Sequence, residues 1–232
     1  MAGFEFPDVA HDYRFLALSH PAEYAILSGS ISVGDGTAFA VSDWPAHVVE
    51  EQVPRSTALH ARLDGSTGYL VGALARYALN AHLLSPLARS AASDAGLGPV
   101  CRNPFRSIVV RAVEILHACD EALRIIEDYT EPDAPSVPVE PRPGAGHGVS
   151  EAPRGTLYHR YRIDDAGLIA EADIVPPTSQ NQARIEMDLR HLVEPRLDLP
   201  RVELAALCER TVRNHDPCIS CSAHFLDLRL DR

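Results

Sequence analysis

Arg213-Asn214-His215-Asp216-Pro217-Cys218-Ile219-Ser220-Cys221-Ser222-Ala223-His224, close to the end of the chain, sets two thiols three residues apart, with an acid just before them and an imidazole three residues after. Thiolate and imidazole are soft and borderline ligands, so the stretch reads as a metal site. The Cys-x-x-Cys spacing alone serves zinc, iron–sulfur clusters, redox dithiols and haem attachment. Haem attachment wants His directly after the second Cys, and here Ser222 and Ala223 intervene. A redox dithiol would follow a strand early in a βαβ unit rather than close a chain. A structural zinc site needs four ligands, and no second ligand pair of that kind stands elsewhere, although His224, the two thiols and a stray fourth group could make one.

The composition narrows the partners. The chain has 232 residues, 46% of them hydrophobic, and a formal charge of −11, enough apolar material for a sizeable core. The negative charge argues against phosphate backbones and anionic lipid, so nucleic acid and membrane are not expected partners. The five cysteines, Cys101, Cys119, Cys208, Cys218 and Cys221, are odd in number and two are closely spaced, which fits a reducing cytoplasm better than a disulfide framework. Neither a leader-like apolar run nor a stretch approaching roughly 18 apolar residues is present.

In chain order, residues 1–48 read as strands joined by tight turns around Gly34-Asp35-Gly36, a small antiparallel sheet. Trp44 to Ser56 reads as a helix, and Tyr69 to Leu84 keeps a helical period up to Pro86. The glycines from Gly65 to Gly72 make no phosphate loop, because no Gly-Lys-Ser or Gly-Lys-Thr follows. Asn103-Pro104 is a helix start, and Ile108, Ala112, Ile115, Cys119, Ala122, Ile126 and Tyr129 recur at three and four. That stripe, flanked by Val109, Val113, Leu116 and Leu123, predicts a central, largely buried helix from Pro104 to Tyr129 with Cys119 in its core. Residues 130–150, rich in Pro and Gly, read as a loop. Leu157 to Ile163 and Leu168 to Val175 form a hairpin about Asp164-Asp165-Ala166-Gly167, whose pairing brings Glu151-Ala152-Pro153-Arg154-Gly155 and Pro176-Pro177-Thr178-Ser179-Gln180-Asn181 to one end. Gln182 to Val193 and Arg201 to Arg213 are helical by pattern. Together these give one domain over 1–232, α+β and helix-dominated, with a long central helix and two small antiparallel sheets.

The terminal stretch closely resembles the Asp-Pro-Cys-x-x-Cys-x-x-His signature of the large subunit of nickel–iron hydrogenases. Five further blocks resemble that family's cytoplasmic, pyridine-nucleotide-linked branch, in the family's order: Ser56-Thr57-Ala58-Leu59-His60, Tyr69 to Arg76, Asn103 to Ser107, Glu151 to Gly155 and Pro176 to Asn181. The resemblance implies that Cys218 is a terminal thiolate on nickel and the base that takes the proton when dihydrogen is split, and that Cys221 bridges nickel and iron. It implies that His224 holds a further metal, commonly magnesium, and marks where a maturation protease would release Phe225 to Arg232. Pro153, Arg154, Pro177 and Thr178 match the segments around the iron's cyanide and carbon monoxide ligands, where a guanidinium and a hydroxyl satisfy a buried anionic acceptor. Asp216 would brace Arg154. His215 and His159 read as structural or exposed.

One departure matters. The family draws four cysteines to its metals, two from an Arg-preceded Cys-x-x-Cys near the N-terminus, and neither Cys101 nor Cys119 has that spacing. The N-terminal acid of the magnesium site is also missing. Three readings stay open: a fragment, one half of a split large subunit, or a degenerate relative without catalysis. The resemblance further implies an iron–sulfur small subunit, a complementary N-terminal half, NAD(P)-linked diaphorase subunits and the maturation protease as partners. An isolated chain with two of four thiolates is expected to be inactive. The competing classes are a non-catalytic structural subunit of a redox complex and a zinc-binding protein.

Overall fold

The computed structural model describes residues 5–65, 68–218 and 229. Among these, three small antiparallel sheets and six α-helices build the fold. The first sheet joins β1 (Leu16–Ser19), β2 (Ser30–Val33) and β3 (Ala38–Phe39), with Leu18 facing Ile31. This is the strand-and-turn platform expected of the first 48 residues.

The next segment departs from expectation. The helix expected over Trp44 to Ser56 is only α1 (Trp44–His47), after which β4 (Val48–Glu51) pairs with β5 (His60–Leu63) as a second sheet. Val48-Val49 explains the switch: two β-branched residues favour a strand, where Val48 is buried and Val49 exposed. Trp44 then stacks on Tyr158, ring centroids 4.8 Å apart and 8° from parallel, in a core shared by the first two sheets and the third.

The helix expected from Tyr69 starts later, as α2 (Ala73–Asn80) followed by a 3-10 turn at Ala81–Leu83. Gly72, at φ +104°, cannot continue a helix backwards, and Leu70 instead bridges Phe15 in an extended segment. α3 (Pro86–Asp94) follows, capped by Ser85. Asn103 caps the next entry as expected, its Oδ1 accepting from Phe105 N–H at 2.9 Å, and a 3-10 turn leads into α4 (Ser107–Glu127).

The expected burial of α4 is corrected. Its inward side, Val109, Val110 and Val113, packs on α2 and α3, but the stripe of Ile115, Cys119, Leu123 and Ile126 lies open to solvent. The helix therefore sits at an edge of the described structure, and Cys119 is not a core residue.

The third sheet corrects both the sheet count and the loop. β6 (Gly144–Ala152) already begins inside the Pro/Gly-rich 130–150 segment, and pairs along β7 (Gly155–Ile163), which pairs with β8 (Ile169–Val175). Gly144, Gly146 and Gly148 follow the last proline of the run, so the strand ladder takes them up without losing a donor. α5 (Pro177–Val193) begins five residues earlier than its pattern, with Pro177 at the first helical position, and α6 (Arg201–Asn214) ends the described helices. No helix among the described residues is long and apolar enough to cross a membrane.

Arg76 on α2 ties these layers together. Its Nε and Nη2 donate to Glu114 of α4 at 2.7 and 2.8 Å, its Nη1 to Glu151 Oε2 at 3.1 Å and the Ala152 carbonyl at 2.9 Å, and its Nη2 also to the Pro153 carbonyl at 3.0 Å. All five N–H groups of the guanidinium are thereby used. Glu151 in turn accepts from Leu18 N–H and the Thr156 hydroxyl, both at 2.8 Å. Arg76→Leu would leave two carboxylates without their cation. The expected loss is about 3–5 kcal/mol of stability, read from the urea midpoint, while Arg124→Leu at an exposed ion pair changes it by no more than about 1 kcal/mol.

Candidate metal centre

The terminal motif enters the described structure through a helix stop. α6 ends at Asn214, the N–H groups of His215 and Asp216 turn back to the Val212 and Arg213 carbonyls, and Asp216 takes a left-handed φ of +48° before Pro217. Asp is among the few residues that tolerate this conformation, and Pro217 cannot prolong the helix. The Asn214 carbonyl is held from outside by the Ser107 hydroxyl at 2.7 Å and by Arg111 Nη1 at 3.3 Å, both on α4.

Antiparallel pairing of β6, β7 and β8 brings the two loops of interest to one end, with Ala152 opposite Gly155 and Tyr158 opposite Val175. Arg154, in the β6–β7 turn, donates from Nε to the Asp216 carbonyl at 2.8 Å, with the Asp216 carboxylate 3.6 Å away. The two terminal nitrogens of Arg154 have no hydrogen-bond partner among the described residues. Thr178, buried in the first turn of α5 beside buried Pro177, accepts the Cys218 N–H on its hydroxyl at 3.2 Å. Pro153 is exposed beside Arg154, and Cys218 is half-buried. Arg154, Asp216, Thr178 and Cys218, drawn from three separate sequence blocks, therefore meet. Cys221 and His224 lie outside the described residues.

A close backbone approach fixes this meeting point. Gly72 and Gly155 lie back to back: a Cβ on Gly72 would stand 2.7 Å from the Arg154 carbonyl, and one on Gly155 2.5 Å from Val71 Cγ2. Both have φ in the left-handed half, +104° and +138°. Asn181 clasps the same strand segment, accepting from Val71 N–H at 2.9 Å and donating to its carbonyl at 3.3 Å. Val71, Pro104, Arg111, Arg154 and Asn181 line the cleft beside Asp216, as does Asn214, whose buried side-chain nitrogen has no partner among the described residues.

Sequence reasoning missed Asp188. This fully buried carboxylate on α5 accepts from the Tyr13 hydroxyl at 2.7 Å, from Arg184 Nε at 2.9 Å and from His215 Nε2 at 3.0 Å. It thus anchors the residue next to Asp216. His11 and His191 also converge on it, but its oxygens are already engaged. Burial alone would raise its pKa, yet His215, Tyr13 and Arg184 outweigh burial and bring it from 3.8 down to about 2. Its spacing from Arg184, i and i+4 on one helix face, was the available signal. Of the other described cysteines, Cys101 and Cys208 are buried, and burial pushes both thiols up, while Cys119 lies exposed on α4.

The family model described as nickel-dependent hydrogenase matches residues 70–224. The chain belongs to the nickel-dependent hydrogenase family. It is 32% identical over 210 residues to sulfhydrogenase 1 subunit alpha of Pyrococcus furiosus, covering 88% of this chain and 48% of that relative. It is 34% identical over 169 residues to the NAD-reducing hydrogenase HoxS subunit beta of Cupriavidus necator, covering 67% of this chain and 34% of that one. The solved structure of an NAD+-reducing [NiFe]-hydrogenase superposes with a TM-score of 0.78 at 24% identity, covering 93% of this chain and 51% of that chain. The chain thus spans about half the length of these hydrogenase proteins or less, and shares their fold over nearly all of its own.

The described residues fit a nickel–iron centre in the donors they leave available. Thr178 accepts a backbone N–H and keeps its own hydroxyl hydrogen to donate, Arg154 keeps two terminal nitrogens, and Asn214 keeps a buried N–H donor. A pocket of unused donors beside a cysteine suits a group that carries anionic acceptors.

Two outcomes follow from this geometry. Gly155→Ala forces a Cβ into Val71 and the Gly72 backbone and is expected to cost about 2–4 kcal/mol, read by urea unfolding. For Asp188, the depressed pKa contributes stability that is present above 3.8 and lost as pH falls through about 2. The stability difference between the parent chain and Asp188→Asn is therefore expected to be largest near neutrality and to narrow by about 2 kcal/mol between pH 5 and pH 2, followed by urea titrations across that range.

Proposed function

We propose that this chain is the C-terminal part of a nickel–iron hydrogenase large subunit and supplies half of the ligands of its metal centre. The observation that carries the reading is the docking of Cys218 on Thr178 beside the Arg154–Asp216 contact, because those residues come from the three blocks that resemble the family's metal-site segments. Cys218 would be the terminal nickel thiolate, Cys221 the bridging thiolate, and His224 the ligand of a nearby magnesium ion. The centre, with cyanide and carbon monoxide on iron, supplies heterolytic cleavage of dihydrogen when bound.

The rest of the chain's work is positioning. Arg154, Thr178 and the backbone beside Pro153 and Pro177 satisfy the diatomic ligands with donors and present no competing proline N–H. Asp216 holds Arg154 through its own carbonyl and keeps the guanidinium aimed. Cys218 Sγ accepts the proton at the site, a task suited to a half-buried thiolate. Its relatives named as NAD-reducing support a place in a cytoplasmic complex with an iron–sulfur small subunit and NAD(P)-linked diaphorase subunits. A maturation protease would cut after His224 and release residues 225–232.

Metal analysis tests the reading. The complex purified anaerobically from producing cells is expected to hold nickel and iron, and to show infrared bands from bound cyanide and carbon monoxide. Zinc alone would replace the reading with a zinc-binding protein, and no metal would replace it with a structural subunit. Cys218→Ser is expected to lose nickel and to lower hydrogen oxidation with a dye acceptor by about 10²–10⁴-fold, while the chain by itself oxidises no hydrogen.

A further inference from the structure

The third sheet has one long edge without protection. Its register places Gly144, Gly146 and Gly148 of β6 opposite Ile163, Tyr161 and His159 of β7, which in turn face Ile169, Ala172 and Ile174 of β8. That face of the sheet is apolar and exposed along β8. Along β6 it drops to bare backbone, where a Cβ on any of the three glycines would meet nothing within 4 Å. The result is a trough floored by glycine and walled by the half-buried His159, Tyr161 and Ile163.

The backbone beside the trough is open as well. Glu151 N–H donates to the Ile26 carbonyl at 2.7 Å, on the side of β6 away from β7. Outward and inward groups alternate along an antiparallel strand, so Ala145, His147 and Val149 turn their N–H and C=O the same way, with no backbone partner there among the described residues. Exposed edges are ordinarily blunted by charge, proline or a bulge. The opposite edge, β8, carries Glu171 and Asp173, whereas Gly144 to Ser150 holds no Asp, Glu, Lys or Arg.

The chain itself holds a segment of matching period. Just past the terminal motif, Leu226, Leu228 and Leu230 alternate with Asp227, Arg229 and Asp231, the pattern of a strand with one apolar face. Three leucines at every second position answer three glycines at every second position. Arg229, the described residue of this stretch, is exposed, as the polar face requires. Reach and direction agree too. Cys218 follows Asp216, which holds Arg154 in the β6–β7 turn. From Cys218 to Leu226 the chain extends up to about 27 Å, while Gly148 lies about 14 Å down β6 from Ala152 at that turn. A chain that leaves the turn along β6 runs opposite to it, in the antiparallel sense.

We infer that residues 225–231 dock on β6 as a fourth, antiparallel strand of the third sheet, with Leu226, Leu228 and Leu230 in the trough over Gly148, Gly146 and Gly144. Phe225, Asp227 and Arg229 then pair with Val149, His147 and Ala145, and Asp227 lies beside the His147 imidazole. The occupant of the edge is this chain's own tail, a strap that ties the terminal motif to the sheet. Only the cut after His224 rests on the hydrogenase reading, which the strap deepens. Hydrolysis of the His224–Phe225 bond by water leaves a carboxylate on His224 and an amine on Phe225. The strap then becomes a separate peptide without the effective concentration that held it, so one cut frees both the motif and the edge.

Amide hydrogen exchange of the metal-free full chain tests the strap, with a chain ending at His224 for comparison. The amides of Ala145, His147 and Val149 are expected to exchange about 30-fold more slowly in the full chain, while those of β7 exchange equally in the two. Leu228→Asp in the full chain is expected to remove the difference. Gly146→Cys with Leu228→Cys places two thiols on directly opposed residues, within disulfide range, and is expected to cross-link under mild oxidation at least about 10-fold more than Gly146→Cys with Leu226→Cys. Equal exchange of the three amides in the two chains, or equal cross-linking of the two cysteine pairs, would overturn the strap. Protection that fades on dilution would assign the edge to a second copy and overturn it as well. Those results leave the hydrogenase reading standing, because it rests on nickel and iron in the complex. Zinc alone or no metal there would overturn that reading and leave the strap.

Discussion

The arrangement depends on one buried cation. Arg76 sits at 4% exposure with every N–H used, and its partners come from α4, from the end of β6 and from the β6–β7 turn. An unpaired guanidinium at that depth would be prohibitive, and so would Glu151 without it. The mutual need removes freedom from the turn: Ala152 and Pro153 must aim their carbonyls at α2, so Arg154, next in the chain, points away from α2 toward Asp216. The Gly72–Gly155 contact closes the same joint from the backbone side, where no side chain fits. Positioning of Arg154 thus originates in a different arginine, one helix behind it.

A second buried charge does the equivalent work for the terminal motif. Asp188 holds His215 through Nε2 while Tyr13 and Arg184 keep the carboxylate ionised. The helix stop at Asp216 would otherwise be a frayed end, since the last carbonyls of α6 lack intrahelical partners. With Asp188 on one side and Ser107 and Arg111 on the other, the chain leaves α6 in one direction only, and Cys218 meets Thr178. Each anchor lies on a different element from the residue it positions, which makes the meeting of Cys218 with Thr178 a product of the whole packing rather than of the motif.

Much of this was legible in the sequence because it is local. The Asn103-Pro104 cap, the 3.6-residue period of α4, the hairpin at Asp164 to Gly167 and the proximity of the 151–155 and 176–181 loops follow from short-range rules, and each appears in the structure. The failures arise where long-range pairing overrides local pattern. The β-branched Val48-Val49 pair within the expected Trp44 to Ser56 helix becomes a strand once β5 pairs with it, and the glycines of 144–148 read as loop until β7 supplies a ladder. α5 begins at Pro177 rather than Gln182 because its first turn is polar: Thr178, Ser179, Gln180 and Asn181 are all buried, with Gln180 donating to carbonyls of β7 and β8 and Asn181 bonded to the Val71 segment, a signal that hydrophobic periodicity does not carry. Asp188 was missed for a similar reason: its i,i+4 spacing from Arg184 reads as an ordinary helix pair until Tyr13 and His215, far away in sequence, arrive.

The misjudged burial of α4 carries a different lesson. Its period was read correctly, and Ile108, Ile115 and Ile126 do share a face, but within the described structure that face is empty of neighbours. Hydrophobic period fixes which side chains share a face, whereas their burial depends on what packs against that face, and here Ile115 stands at 65% and Ile126 at 71% exposure.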